Sequence, residues 1–153
     1  MGSTLRHIST IESNIFTLTP ILVTFYKNMP KRKRNLLYAY LLFPLVLHKP
    51  SERLLTLKST SRINRITEDI DIMAGFQNRL MFYKSLTNHC IQYAIECGAL
   101  VIDKNEMTLS VGKAVALYSN PKLNNAFKVA SLLPKVFKQD VVTTYIQLGI
   151  HQI

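Results

Sequence analysis

Glycine is scarce in this sequence, with five residues among 153. Loops that bind the phosphates of nucleotides need glycines at fixed spacings, because the backbone must approach the phosphate closely. Neither the G-x-x-x-x-G-K pattern nor the G-x-G-x-x-G pattern occurs, and the G-x-S-x-G turn of serine hydrolases is also missing. The sequence therefore predicts a protein without the nucleotide-binding or hydrolytic sites of these enzyme classes.

Cysteine is also rare, and the two residues present, Cys90 and Cys97, lie seven positions apart on a predicted helix. Two helical turns separate their Cα atoms by about 10 Å, which is too far for an unstrained disulfide. Reduced, buried thiols are the expected state, which favours a cytoplasmic protein. His89 cannot serve as a base for Cys90, because adjacent helical residues point about 100° apart. The four histidines and two cysteines show no metal-ligand spacing, so we expect no enzyme activity, cofactor or metal.

Acidic residues are few, with nine against 19 lysines and arginines, so the formal net charge is +10. Residues 1–65 contain eleven basic and two acidic side chains, which gives this half a charge of +9. A basic face of this kind suits nucleic acid, anionic lipid or an acidic protein surface, and composition alone does not choose among them.

The positive charge includes two groups of side chains that are candidate contacts for nucleic-acid phosphates. These residues are Lys31, Arg32, Lys33, Arg34, Lys58, Arg62 and Arg65. The first four form a loop between two apolar helices, and the last two lie one turn apart on one face of a predicted short helix. A solubilising loop accounts for the first group equally well as a functional site, and the functional interpretation includes docking of an acidic partner. No aromatic residues interleave with either group, so stacking on single-stranded bases is not expected.

Long hydrophobic runs are missing. The longest apolar stretch covers residues 36–47, twelve positions, whereas a membrane-spanning helix needs about 18 or more. The polar first ten residues do not resemble a signal peptide. We therefore interpret residues 36–47 as a buried core segment that follows a basic loop, and we expect no membrane association.

Helical periodicity dominates what is present, and it predicts a mainly α fold with a small β-hairpin. Residues 1–14 are interpreted as a loosely ordered N-terminal arm, and residues 15–150 as a single mainly helical domain. The first helix of that domain is expected to begin at Thr19, with Pro20 in its first turn. Alternation of apolar and polar residues over 100–111 predicts the hairpin.

Several further helices are expected. One covers residues 35–47 and is kinked at Pro44, one covers roughly residues 70–83, the next ends at Gly98, and the last covers residues 141–148. Short helices followed by a hairpin resemble a winged helix-turn-helix, in which one helix enters the major groove of DNA. Plain α+β packing gives the same order of elements, so both interpretations stay open.

Four segments, residues 14–22, 41–50, 91–100 and 130–150, together resemble a known family. The second reads LLFPLVLHKP, similar to an L-P-L-V-L-H-x-P block, and the fourth ends in TTYIQLGI, similar to T-x-Y-x-L-L-G-V. On these blocks the chain resembles the middle component of bacterial three-component ABC ATPase systems. Pro134 and Phe137 stand where the family pattern has glycine and tryptophan.

The resemblance implies a bridging role. Members of this family are encoded with an SMC- or Rad50-like ABC ATPase and an effector, often a nuclease, as in Lamassu-type anti-phage and anti-plasmid defence. It implies a non-catalytic adaptor subunit that lies near the ATPase heads, where contact with DNA is expected. The alternative is a stand-alone winged-helix DNA-binding regulator, which explains the charge and the hairpin but neither the apolar run at 36–47 nor the closing segment.

Overall fold

The computed structural model describes residues 2–113 and 120–151, with side chains described from Ile15 onward. The mainly helical fold with a small two-stranded sheet is confirmed. The α-helices are α1 (Gly2–Lys27), α2 (Ala39–Val46), α3 (Asn64–Thr67), α4 (Ile70–Met73), α5 (Phe76–Glu96), α6 (Asn124–Leu132) and α7 (Val141–Gln147). The strands are β1 (Leu100–Asp103) and β2 (Thr108–Val111), and 3-10 turns cover Asn35–Tyr38, Lys49–Thr56, Pro121–Leu123 and Leu133–Lys135. Within the described ranges, no helix has both the length and the apolar content needed to cross a membrane.

The hydrophobic core lies where helices α1, α2, α5 and α6 pack together. Its aromatic centre joins distant parts of the chain, because the rings of Tyr38 and Phe137 stack with centroids 5.2 Å apart. Phe25 of α1 meets Phe137 edge-on at 6.2 Å, and all three side chains are fully buried. Burial of apolar surface is the main favourable contribution to folding, so this centre binds the N-terminal and C-terminal segments into one core.

Helix α1 begins at Gly2, so the expected start at Thr19 was wrong, and Pro20 lies inside the helix. Proline has no N–H to donate to the carbonyl of the preceding turn, which normally disrupts a helix. Here Leu18, Ile21 and Leu22 are all buried in the core, so tertiary packing holds both sides of the proline. The division into an arm of residues 1–14 and a domain of residues 15–150 stays a prediction.

Helix α5 is longer than the sequence indicated, because it continues without a break from Phe76 to Glu96, across the boundary near Tyr83 where one helix was expected to end and the next to begin. Gly75, with φ of 69°, separates it from α4. Arg79 then joins three elements, since its guanidinium donates hydrogen bonds to the carbonyl oxygens of Ile72 at 2.6 Å, Pro44 at 3.0 Å and Ala74. This arginine therefore satisfies carbonyl groups near the ends of α2 and α4.

The predicted hairpin is present, and β1 pairs with β2 from Leu100 opposite Val111 to Asp103 opposite Thr108. In its turn, the Asp103 carboxylate accepts hydrogen bonds from the backbone of Asn105 at 3.0 Å and Glu106 at 3.3 Å. The hairpin follows α5 directly. Its turn lies against the basic loop of residues 31–34.

Candidate nucleic-acid interface

The basic loop, residues 31–34, is fixed by the residue that follows it. The Asn35 side chain accepts a hydrogen bond from the Leu109 N–H at 2.7 Å and donates one to the Leu109 carbonyl at 3.1 Å. The Tyr26 hydroxyl donates to the Asn35 carbonyl at 2.8 Å, and burial raises the pKa of Tyr26 well above its usual value. The hydroxyl therefore keeps its proton at neutral pH. These bonds attach the loop to α1 and to β2.

The hairpin turn supports the same loop through the backbone. The Arg34 N–H donates to the Glu106 carbonyl at 2.8 Å, and the Leu36 N–H donates to the Met107 carbonyl at 3.1 Å. Arg34 has φ of 63°, in the left-handed region, while its side chain is exposed. Lys33 approaches the Glu106 carboxylate at 3.9 Å with 83% of its side chain exposed, a geometry that contributes little to stability.

Arg32 differs from its neighbours because its side chain points back into the protein. Its guanidinium donates to the carbonyl oxygens of Phe137 at 2.5 Å and Gln139 at 2.9 Å. The Tyr38 hydroxyl also donates to the Gln139 carbonyl, at 2.6 Å. Arg32 therefore joins the loop to residues 137–139, which we call the central segment.

The second basic group lies around the start of α3. Lys58, Arg62 and Arg65 are all exposed, but Arg62 precedes α3, which begins only at Asn64. The predicted helix therefore begins after Arg62, although the Arg65 N–H donates to the Arg62 carbonyl at 3.1 Å and joins the two residues in one turn. Arg65 donates to the Thr56 hydroxyl at 2.6 Å and to the Arg53 carbonyl at 3.3 Å, so it packs against the preceding 3-10 turn.

Lys138 connects the two groups, and sequence reasoning missed it. Its ammonium group donates to the carbonyl oxygens of Ser59 at 2.9 Å and Ser61 at 2.6 Å, which lie between Lys58 and Arg62. The central segment therefore accepts hydrogen bonds from Arg32 and, through Lys138, donates hydrogen bonds to the second basic group. Nothing local in the sequence marks Lys138, because its partners are backbone carbonyls far away along the chain.

Arg53 is another cation that sequence reasoning missed, and its charge is compensated. It donates to Asp69 at 2.9 Å and to Asp71 at 2.8 Å. Desolvation tends to raise the pKa of Asp69, but hydrogen bonds from the Ile72 N–H and from Arg53 outweigh it and lower the pKa overall. Asp69 also caps α4. This trio is structural, and its two carboxylates more than offset the positive charge of Arg53.

Four of the seven candidate residues combine exposure with unoccupied side chains. Lys31, Arg34, Lys58 and Arg62 are exposed and form no side-chain hydrogen bond or ion pair with the residues that the structure describes. Such groups can approach phosphates without breaking an existing interaction. The structure thus separates Arg32 and Arg65, which bond to other parts of the chain, from four residues that are open to a ligand, while Lys33 lies exposed near Glu106.

Comparison with known proteins gives one match that covers almost the whole chain. The family model described as ABC-three component (ABC-3C) system Middle Component 3 matches residues 3–152. No curated protein matches the sequence. No solved structure matches the chain.

Proposed function

The chain belongs to the Middle Component 3 family of ABC-three component systems, and from this premise we propose that it is a non-catalytic adaptor. In this role it bridges an SMC-like ABC ATPase and an effector, often a nuclease, in a cytoplasmic Lamassu-type complex that acts against phages or plasmids. The observation that carries the proposal is the extent of the family match. Because residues 3–152 are included, almost the whole chain corresponds to a component that works with other subunits.

Exposed apolar side chains support a role in protein contacts. Phe82 on α5 is 77% exposed, and Ile146 on α7 is 69% exposed. Val142 lies one helical turn before Ile146 and is also exposed, so the two residues share a face of α7. Large apolar groups in contact with water are typical of surfaces that partners cover. The adaptor function therefore has candidate contact faces on α5 and α7.

DNA contact within the complex is part of the same proposal. The exposed cations around residues 31–34 and 58–65 are suited to phosphates, which attract lysine and arginine irrespective of base sequence. The ATPase and the effector supply the chemistry, and this chain positions them relative to each other and to DNA.

A three-subunit co-purification tests the bridging role. With a tagged ATPase encoded next to this chain, the effector should be recovered when this chain is co-expressed and lost when it is omitted. The purified chain alone should neither hydrolyse ATP nor cut DNA. Recovery of the effector without this chain would contradict the proposal, as would an activity of the chain abolished by a point mutation in it. A monodisperse chain that binds DNA but not the ATPase would favour the stand-alone winged-helix regulator.

A further inference from the structure

We infer that the two basic groups form one surface that binds the phosphate backbone of double-stranded nucleic acid. In this surface Lys31, Arg34, Lys58 and Arg62 contact phosphates, while Arg32, Arg65 and Lys138 hold the contacting loops in place. The inference rests on the proposed function for the occurrence of DNA in the complex. It adds which residues touch DNA and which form of nucleic acid they fit.

The central segment is what makes the two groups one surface. Arg32 holds the first loop to the carbonyl oxygens of Phe137 and Gln139, at 2.5 and 2.9 Å. From the residue between them, the Lys138 ammonium reaches Ser59 and Ser61 of the second group, at 2.9 and 2.6 Å. Both groups are therefore hydrogen-bonded to the same three-residue segment, which makes them neighbours that one extended polyanion can contact.

Several acidic residues close in sequence or in space to these groups already have partners. Asp140, directly after the central segment, caps α7 by accepting from the Thr143 hydroxyl at 2.5 Å and the Thr143 N–H at 3.4 Å. Glu106 lies near Lys33, and Asp69 and Asp71 bind Arg53. None of these carboxylates forms an ion pair with Lys31, Arg34, Lys58 or Arg62 in the described part of the chain. The four cations therefore have no ion-pair partner among these carboxylates.

The aromatic residues nearest this surface indicate duplex rather than single-stranded nucleic acid. Proteins that bind single strands stack bases on exposed aromatic rings. Here Tyr38 and Phe137, the rings beside the central segment, are fully buried and stacked on each other. A duplex keeps its bases stacked internally and offers phosphates outside, which matches a surface of exposed lysines and arginines.

The experiment compares two charge-removing pairs with a matched control in the assembled complex. The first pair is Lys31→Gln with Arg34→Asn, because asparagine tolerates the left-handed backbone of Arg34. The second pair is Lys58→Gln with Arg62→Gln. The control pair is Lys49→Gln with Lys122→Gln, two exposed lysines that line a different cleft and remove the same charge. Duplexes of unrelated sequence are titrated over a range of salt concentrations.

Each phosphate contact contributes about 0.9 to the slope of log affinity against log salt for duplex DNA. Each pair should therefore flatten the slope by about 1.8, and all four substitutions by about 3.6, equally for every duplex sequence. The control pair should leave the slope unchanged. The melting temperature should fall for Arg32→Gln, which loses bonds to the central segment, and should stay constant for both pairs.

Several outcomes would overturn the inference. They are an unchanged slope in the quadruple variant, an equal effect of the control pair, or an effect of one group alone. Loss of complex assembly while the other subunits still bind DNA would assign the surface to an acidic protein partner instead. If the unmodified chain fails to bridge the ATPase and effector, the proposed function fails separately. The same salt titration on the isolated chain then tests whether the surface binds duplex nucleic acid.

Discussion

At the scale of single residues, the Asn35 side chain makes the hydrogen bonds to β2 that a neighbouring strand would otherwise make. Among the described residues the sheet has two strands, so one edge of β2 would otherwise leave backbone groups without strand partners. The buried Asn35 amide pairs with both the N–H and the carbonyl of Leu109. A side-chain amide has the donor and acceptor of a peptide unit, so it can complete the edge with two hydrogen bonds.

Replacing Asn35 with Ala should destabilise the protein by about 2–4 kcal/mol, because two buried backbone groups of Leu109 lose their partners. The free energy of unfolding in a denaturant titration measures the loss. Asn105→Ala is the control: its side chain is exposed in the hairpin turn and should change stability by no more than about 0.5 kcal/mol. Equal effects of the two substitutions would show that the Asn35 amide is not the anchor of the basic loop.

Most cations of the candidate site could be identified from the sequence, but the structural role of each cation could not. Charge counting found the run 31–34, but it could not separate Arg32 from Arg34. That difference depends on carbonyl oxygens of Phe137 and Gln139, more than a hundred positions later. Lys138 was missed for the same reason. A side chain that bonds to distant backbone carbonyls leaves no local pattern in the sequence.

At the scale of elements, the hairpin closes through a contact that only glycine permits. The Gly112 N–H donates to the Ala99 carbonyl at 2.9 Å. A Cβ atom at position 112 would lie 2.2 Å from the Gly98 carbonyl oxygen, well inside contact distance. The end of α5 and the end of β2 therefore approach each other at their backbones.

Gly112→Ala should consequently be more destabilising than Gly149→Ala. Gly149 has φ of +73° but no atoms within 4 Å of an added Cβ, so alanine there adds only the strain of a left-handed backbone, about 1–2 kcal/mol. At position 112 the added Cβ would also clash with the Gly98 carbonyl, so the backbone there would have to shift. Thermal unfolding of the two variants under the same conditions makes the comparison. A smaller loss for Gly112→Ala would show that the hairpin base is not held by this approach.

The elements also show which parts of the fold hydrophobic periodicity could predict. Alternation over residues 100–111 identified the hairpin, and burial follows it in β1, where Leu100 is buried and Val101 exposed, but not in β2, where Thr108 is buried beside Leu109 and Val111 is exposed. Helix α1 was placed too late, because Pro20 is an ordinary signal for a helix start. Burial of Leu18 before it and Ile21 after it outweighs that signal. Whether a proline lies inside a helix is decided by tertiary packing, which one sequence does not contain.

At the scale of the whole molecule, the two thiols differ in how a reagent can reach them. Cys97 can be modified at the surface, whereas Cys90 can be modified only when the structure around it opens. Cys97 is exposed, which corrects the expectation that both cysteines are buried. Cys90 is fully buried between α1 and α5, and burial raises the pKa of its thiol to about 11. The thiolate is the reactive form, so the two residues should differ strongly toward thiol reagents.

At pH 8 we expect one thiol per native chain to react rapidly with a thiol-specific reagent, and two in denaturant. Cys90 favours its neutral form in the folded state. Its contribution to stability is therefore complete below the unfolded pKa and is lost as the pH rises toward 11. Cys97→Ser should remove the fast reaction, and Cys90→Ser should not. Rapid modification of Cys90 in the native chain would show that the helices around it open locally.

The blocks that resemble a known family were sufficient to indicate the family, and helical periodicity was sufficient to indicate the mainly helical class. They could not show that residues near position 35 and residues near position 140 form one assembly. The hydroxyls of Tyr38 and Tyr145 illustrate this, since they donate to the carbonyl oxygens of Gln139 and Leu37 across more than a hundred positions. Contacts of this length depend on the complete core.

These long contacts have a consequence for how the protein is made. During synthesis the N-terminal part of a nascent chain leaves the ribosome first and begins to fold before the rest exists. The basic loop would then emerge long before Phe137, Lys138 and Gln139, the residues that bind it to the second group. Partial chains can carry the charges of the phosphate-binding surface but not its arrangement. Ordered contact with nucleic acid should therefore wait until translation has passed the central segment.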